Sequence, residues 1–295
     1  MPPIESGHHD HASSSQRRGP LNVTSLRQAQ VDNATSANLQ SKSRRATWRR
    51  IRGTGRPSLR VELALIVIGY GLYSLVRNAV PTKRSLGYAH ARTIVHIESV
   101  LHIDGEQAVN HALNRIGPLI VGMNYYYAVF HFVITIGVLV WVYVQHPLAY
   151  RASRTWLFAT TVLALVGFYA YPLAPPRLLP GAGFIDTLVV HHTWGSLASG
   201  ELAKVSNQYA AMPSMHIGWS LWCALTVFSL TKRTWLRRAA LAYPIFTLAV
   251  IIGTANHFFL DAAGGVLTLA AGGLATRLIL GRAAPHGVND ATPMK

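Results

Sequence analysis

Six stretches of mostly apolar residues dominate this chain, and they restrict the folds that it can adopt. A helix that crosses the hydrocarbon core of a bilayer needs about 20 consecutive, predominantly apolar residues. The stretches are residues 61–80, 121–144, 155–174, 214–231, 239–255 and 259–280. They predict an all-α, polytopic membrane protein with six transmembrane helices in a bundle. Residues 81–117 are too polar to cross, and they predict an interfacial helix with a loop between the first two spans.

The composition supports this fold class. Only 13% of the residues are charged, whereas soluble proteins carry roughly 25%. The single cysteine, Cys223, excludes an intramolecular disulfide, and its apolar neighbours in sequence indicate ordinary packing.

Half of the formal net charge of +16 lies near the N-terminus, where residues 1–60 hold 11 Lys or Arg and 3 Asp or Glu. Residues 1–58 are rich in polar residues and poor in aromatics, which predicts a disordered basic tail. A polybasic segment just before a membrane span is typical of contact with anionic lipid, and we favour that over nucleic-acid binding. The predicted membrane domain covers 59–282, and 283–295 form a short C-terminal tail.

The distribution of cations predicts the topology. Loops 146–154 and 232–238 hold as many Lys and Arg as loops 81–117 and 175–213, which are several times longer. Because cytoplasmic loops carry the excess of Lys and Arg, we expect a multi-pass protein of the cell membrane with both termini in the cytoplasm. Arg177, His216 and the His257–Asp261 pair then fall on the outer face.

His257 and Asp261 are four residues apart in an apolar stretch, and Asp261 is the only acidic residue between Glu201 and Asp290. Residues four apart on a helix share one face, so we expect the carboxylate to hold the imidazole ring. An ionisable pair at the end of a membrane span is costly and indicates a functional site. His257 is the candidate nucleophile, with Asp261 fixing its tautomer and stabilising the imidazolium.

His216 opens the fourth apolar stretch and is the candidate general acid, because its ordinary pKa lies near 6.5. Pro213 suits the first turn of a helix, so the backbone N–H groups around Ser214 are expected to cradle an anion. Arg177 follows a proline-rich segment and offers a forked donor that matches phosphate oxygens. Together these residues predict phosphoryl transfer without a metal or other cofactor.

Each residue also has a plainer interpretation. A lone histidine at a span end is usually an interfacial hydrogen bonder, and Arg177 alone would be a snorkelling side chain. Two histidines and one aspartate also meet the minimum number of ligands for zinc. We favour catalysis because the residues occur together, in order and on one predicted face.

The chain resembles the type 2 phosphatidic-acid-phosphatase superfamily over about residues 60–280. Pro213-Ser214-Met215-His216 is similar to the Ser-x-His motif of that superfamily, and His257 to Asp261 is similar to its His-x3-Asp motif. The resemblance implies a six-helix fold. It also implies a phosphohistidine nucleophile at His257, a partner role for Asp261 and a general acid at His216.

Two departures separate the chain from ordinary lipid phosphatases. The lysine of the first motif is missing, so that only Arg177 remains, and Ile251 stands where the third motif should carry an arginine. The chain is similar instead to the branch of inositolphosphorylceramide synthase and inositolphosphotransferase-like proteins. The segment from Ile97 to Asp104 also resembles that branch, and Glu98 within it is expected to be structural rather than catalytic.

The leading hypothesis is therefore a membrane lipid phosphotransferase that moves a phosphoryl or phospho-head-group, such as phosphoinositol, from a lipid donor. A phosphatase acting on a phosphatidyl or polyprenyl phosphate or diphosphate is the alternative. A non-catalytic lipid transporter or binding protein on the same fold is a third hypothesis. The expected partners are the bilayer, a phospholipid or polyprenyl-phosphate substrate, and anionic lipid at the basic tail.

Overall fold

Helices form nearly all of the chain that the computed structural model describes, which is residues 57–79, 84–193 and 208–281. In chain order they are α1 Leu59–Ala79, α2 Arg84–Val100, α3 Glu106–Asn114, α4 Gly117–Tyr125, α5 His131–Gln145, α6 Pro147–Ala170, α7 Thr187–Val190, α8 Met215–Leu230, α9 Thr234–Gly253 and α10 Phe259–Leu280. A π-helical turn, Tyr126–Phe130, joins α4 to α5. These ranges contain no β-strand, which confirms the all-α prediction. The predicted tail before Pro57 and the predicted tail 283–295 lie outside the described residues.

Three helical segments are long and apolar enough to cross a membrane: Gly117–Gln145, Thr234–Gly253 and Phe259–Leu280. They match the predicted spans 121–144, 239–255 and 259–280, and they indicate a membrane protein. Helix α8 is equally apolar but has only 16 residues. Helices α1 and α6, at the predicted spans 61–80 and 155–174, are not among these three segments.

The predicted boundaries of the third span were wrong. Helix α6 begins at Pro147, where proline is favoured because a first-turn N–H needs no partner inside the helix. It ends at Ala170, since Pro172 disfavours a helical conformation of the residue before it. The segment 81–117 also differs from the prediction, because it contains two separate helices, α2 and α3.

Buried polar contacts join α1 to α6. The residues that form them explain why neither helix has a purely apolar sequence. Glu62 is buried and accepts a hydrogen bond from the Tyr150 hydroxyl at 2.9 Å. Arg154 completes the cluster with an ion pair to the same carboxylate. The charges of Glu62 and Arg154 are thereby paired where the two helices meet, as burial of ionised groups requires.

Glycines let α10 lie close against α6 and α8. A Cβ atom at Gly272 would overlap the Thr160 hydroxyl of α6, and one at Gly265 would overlap the Ser214 carbonyl oxygen at the start of α8. Close approach through small residues is a common way to pack membrane helices. The glycine pairs Gly264-Gly265 and Gly272-Gly273 lie at these helix contacts.

Backbone hydrogen bonds bring the end of α9, the start of α8 and the start of α10 to one place. The Arg177 N–H donates to the Ala255 carbonyl at 2.9 Å, and the Ser214 N–H donates to the Asp261 carbonyl at 2.9 Å. The candidate residues from three distant parts of the sequence thus become neighbours.

Candidate active site

The His257–Asp261 pair forms as the sequence predicts. Nδ1 of His257 lies 3.2 Å from Oδ2 of Asp261, and both side chains are buried. A carboxylate can only accept, so Nδ1 carries the proton and Nε2 has a lone pair. Nε2 is buried and has no hydrogen-bond partner among the described residues. A buried polar atom without a partner requires an explanation, and an approaching ligand atom is one.

The expected reason for this pairing was wrong. His257 precedes α10, which begins at Phe259, so the two residues do not share a helical face. Asp261 instead lies in the first turn and reaches back over the helix start. Its Oδ2 also accepts the N–H of Phe258 at 3.0 Å. A carboxylate in a first helical turn is stabilised by the unpaired N–H groups and the helix dipole there.

His216 lies beside His257, with ring centroids 5.6 Å apart. It stacks on Tyr127 at 4.0 Å, and its Nε2 lies 3.2 Å from the Tyr127 backbone carbonyl. Since a carbonyl only accepts, this contact assigns a proton to Nε2 of His216. The π-helical turn that contains Tyr127 therefore fixes both the tilt and the tautomer of this ring, a relationship that sequence reasoning missed.

A third histidine, His131, also lies in this cluster and was not predicted. Its ring centroid is 4.5 Å from that of His216, and it stacks on Trp219. His131 is buried, and its Nε2 has no hydrogen-bond partner among the described residues. No motif pointed to His131, because it stands alone in an apolar run.

Ser214 is fully buried at the N-cap of α8, and its Oγ has no hydrogen-bond partner in the described part of the chain. The expected place of Pro213 was wrong. The helix begins at Met215, so Pro213 precedes the cap rather than filling the first turn. Because the Ser214 N–H already binds the Asp261 carbonyl, an anion cradle here would use Oγ and the N–H groups of Met215 and His216.

Arg177 lies in a short 3-10 turn, Pro176–Leu178, beyond α6. Its Nε donates to Oδ1 of Asn256 at 3.0 Å, and Nη1 donates to Oδ2 of Asp186 at 3.2 Å. Nη2 forms no hydrogen bond with the described residues. Asn256 and Asp186 were not predicted, because neither residue belongs to a recognisable sequence motif.

Two further carboxyl groups lie at the start of α10. Oε1 of Glu98 accepts the Leu260 N–H at 2.7 Å, and Oε1 of Glu106 accepts the Phe259 N–H at 3.1 Å. Both side chains are buried. Burial, followed by a hydrogen bond with Glu106, raises the pKa of Glu98 to about 9. Glu98 therefore has a structural contact, as expected, while Glu106 was missed.

Among residues 57–79, 84–193 and 208–281, no three His, Cys, Asp or Glu side chains lie close enough together to hold a metal ion. The zinc-ligand interpretation of His216, His257 and Asp261 thus lacks a matching arrangement. The predicted residues instead bring together two imidazoles, one carboxylate and one guanidinium, and His131 adds a third imidazole beside them.

Comparison with known proteins identifies the family. A search of curated proteins found no significant match to this chain, and neither did a search of solved structures. A family model described as the PAP2 superfamily matches residues 92–275, which is more than half of the chain and includes every predicted site residue. The chain belongs to the PAP2 superfamily.

Proposed function

We propose that this protein is a membrane lipid phosphotransferase of the inositolphosphorylceramide-synthase or inositolphosphotransferase-like branch. Members of the PAP2 superfamily generally act as phosphatases or phosphotransferases, and the branch is our narrower assignment. The reaction takes a phosphoryl or phospho-head-group, with phosphoinositol as the leading candidate, from a lipid donor. A second hydroxyl group then accepts it.

The buried Nε2 of His257 is the observation that carries this proposal. Its lone pair attacks phosphorus and forms a P–N bond while the P–O bond to the leaving group breaks. Asp261, bonded to Nδ1 at 3.2 Å, stabilises the positive charge that develops on the ring. The acceptor hydroxyl then attacks the phosphohistidine and returns the lone pair to Nε2.

His216 is the proposed general acid, because its ring lies 5.6 Å from that of His257 between centroids. Nε2 of His216 is directed to the Tyr127 carbonyl, so the proton given to the leaving oxygen is the one on Nδ1 of the imidazolium. The same nitrogen recovers a proton from the acceptor hydroxyl in the second step.

Arg177 and Ser214 are the proposed phosphate ligands. Nη2 of Arg177 has no partner among the described residues, while Asn256 and Asp186 hold the rest of the guanidinium. Such anchoring reduces the entropy lost when the side chain binds phosphate, and a planar guanidinium matches phosphate oxygens. The buried Ser214 Oγ supplies a further donor.

The surroundings of Ile251 support the branch assignment. This side chain is fully buried and packs with Ile217, Ile252 and Ala262. An arginine at this position would bury a charge among apolar groups, which is strongly unfavourable. The local packing is thus adapted to the loss of the phosphatase arginine, leaving Arg177 as the main phosphate-binding cation.

We also propose six membrane spans, formed by α1, α4–α5, α6, α8, α9 and α10, with α2 and α3 at the interface. Large apolar side chains of α1 and α6, including Val67, Ile68 and Val166, are 58–68% exposed, and lipid would cover them. Both termini are then cytoplasmic, and the site faces outward. The basic tail contacts anionic lipid on the inner leaflet.

Turnover by purified protein in liposomes tests the function. Labelled phosphatidylinositol and a polyprenyl diphosphate are offered with and without lipid and polyol acceptors, beside His257→Ala. Label that moves to a new lipid or polyol only with the wild-type protein supports a phosphotransferase. Release of free phosphate would identify a phosphatase instead, and activity that chelator removes and one divalent ion restores would refute the metal-free mechanism.

Unchanged biological activity of His257→Ala in cells would favour the non-catalytic alternative. Topology is tested separately with single cysteines in a Cys223→Ser background. An impermeant thiol reagent added outside intact cells should label Asp104→Cys and leave Lys232→Cys unlabelled. The reverse pattern would overturn the proposed orientation.

A further inference from the structure

The start of α10 is capped by side chains from two other helices. Its N-cap residue is Phe258, whose side chain has no oxygen to accept a hydrogen bond. The first two N–H groups of the helix donate instead to Glu106 of α3 and Glu98 of α2. Caps are usually supplied by a neighbouring Ser, Thr, Asp or Asn. Here the acceptors come from more than 150 residues earlier in the chain.

These two carboxyl groups are a pair without a cation. They bind the N–H groups of two successive residues, Phe259 and Leu260, and no lysine or arginine of the described residues forms an ion pair with either. Glu98 is 1% exposed and Glu106 is 2% exposed. Two buried carboxylates that bind successive N–H groups of one helix cannot both ionise without a large cost, so one of them keeps its proton.

We propose that Glu98 and Glu106 share one proton and act as positioning residues that hold the start of α10, and with it Asp261 and His257, in the reactive geometry. This assignment rests on the proposed function of His257. Neither glutamate touches the phosphoryl group. Each acts through the two N–H groups that fix where the helix begins.

Burial holds the proton on Glu98 and raises the pKa of this group to about 9, with contributions from Glu106 and Asp261. Glu106 of α3 and Asp261 of α10 are the titratable groups that act on Glu98, and Asp261 is in turn bonded to His257.

The shared proton also limits the negative charge beside the phosphate site. With the proton in place, Glu98 and Glu106 together carry one negative charge, which suits a helix N-terminus. Loss of that proton adds a second charge that repels both Asp261 and an incoming phosphate. At alkaline pH, the start of α10 should therefore shift from its position, and the affinity for substrate should fall at the same time.

Glu98→Gln and Glu98→Ala separate this role from simple packing. A glutamine at position 98 reproduces a protonated glutamate, because its oxygen can accept the Leu260 N–H while its amide donates to Glu106. An alanine leaves both partners unsatisfied. Glu62→Gln is the matched control, since Glu62 is equally buried but bonds to Tyr150 and Arg154.

We expect Glu98→Gln to keep kcat at pH 7 within about threefold of wild type, and Glu98→Ala to lose roughly tenfold or more. The wild-type kcat should fall as pH approaches 9, and this alkaline limb should be absent from Glu98→Gln. Glu62→Gln should keep the wild-type limb. An unchanged limb in Glu98→Gln, or equal losses in Glu98→Gln and Glu98→Ala, would overturn the proposal.

Infrared spectroscopy supplies a measurement that needs no substrate. The wild-type protein at pH 7 should show a protonated-carboxyl band that Glu98→Gln lacks and Glu62→Gln retains. A spectrum without that difference would refute the shared proton even if the enzyme is active. A wild-type protein with the band but no turnover would count against the proposed function alone.

Discussion

Arg177 and Asn256 are joined by a hydrogen bond of 3.0 Å between Nε and Oδ1, and Asn256 directly precedes His257. The amide group of Asn256 is held in turn by the Thr254 hydroxyl at 2.9 Å. The candidate phosphate-binding cation is therefore fixed to the same short segment that presents the candidate nucleophile. A movement of this segment would displace both groups together.

Asn256→Ala should weaken substrate binding and turnover without unfolding the protein. The substitution removes the acceptor for Nε of Arg177, and hydrogen bonds to charged groups contribute about 1.5–3 kcal/mol. We expect kcat/KM to fall about 10- to 100-fold. Steady-state kinetics with the substrate identified in liposomes would measure this loss.

Asn124→Ala is the matched control, because Asn124 is also a buried amide but bonds to Thr187 and Thr193. It should lower thermal stability while leaving KM close to the wild-type value. Equal kcat/KM values for Asn256→Ala and wild type would show that Arg177 does not depend on this bond.

Asp261→Asn should separate catalysis from the helix cap. An asparagine oxygen can still accept the Phe258 N–H, as Oδ2 of Asp261 does at 3.0 Å. It cannot offer a negative charge to the His257 imidazolium, so the nucleophile loses its stabilising partner. We expect kcat to fall by about 100-fold or more, with a melting temperature within a few degrees of wild type. A wild-type kcat in this variant would exclude the charge of Asp261 from the mechanism.

The sequence was sufficient to select His257, Asp261, His216, Ser214 and Arg177 as candidates, because each belongs to a recognisable motif or marks an interruption in an apolar run, and the structure places these residues near one another. The same residues show where the prediction from sequence was wrong. The spacing of four suggested a shared helical face, whereas the chain places His257 outside α10 and lets Asp261 reach back over the helix start.

The supporting residues were harder to predict for a physical reason. Glu106 and Glu98 meet α10 across more than 150 residues of sequence, and no local periodicity reports such a contact. The span prediction worked for segments with uniform hydropathy. Helices also form at the predicted spans of α1 and α6, where the paired charges of Glu62 and Arg154 interrupt the apolar pattern.

Stability should depend on pH through Glu98. Burial raises its pKa from an ordinary value near 4.5 to about 9 in the folded protein, so the folded state holds this proton more firmly than the unfolded state does. The contribution of Glu98 to the free energy of unfolding is therefore complete below pH 4.5 and is lost as the pH rises to about 9. Thermal unfolding in detergent should show a decline over this window, and the decline should be smaller in Glu98→Gln. Parallel curves for the two proteins would contradict the assignment.

Gly265→Ala should disrupt the contact between α8 and α10, and Gly264→Ala is the control. A methyl group at position 265 would overlap the Ser214 carbonyl oxygen, which cannot move without shifting the start of α8. Overpacking of this kind costs about 1–3 kcal/mol. At Gly264 the nearest atom is the terminal methyl of Met212, at 3.3 Å, and that flexible side chain can yield. Only Gly265→Ala should lower both the melting temperature and kcat. Equal effects of Gly265→Ala and Gly264→Ala would argue against a tight contact between Gly265 and Ser214.

The role of His216 as a general acid predicts a dependence on the leaving group. An alkoxide needs a proton to depart, whereas a nitrophenolate is stable without one, so the acid matters only for the former. His216→Ala should therefore lose about 100-fold or more in kcat with an alkyl phosphodiester and much less with a nitrophenyl phosphodiester. His257→Ala should be inactive with both, because the nucleophile is missing. A stopped assay of both substrates at pH 7 measures the ratio, and equal losses for the two esters in His216→Ala would assign His216 a structural role beside Tyr127.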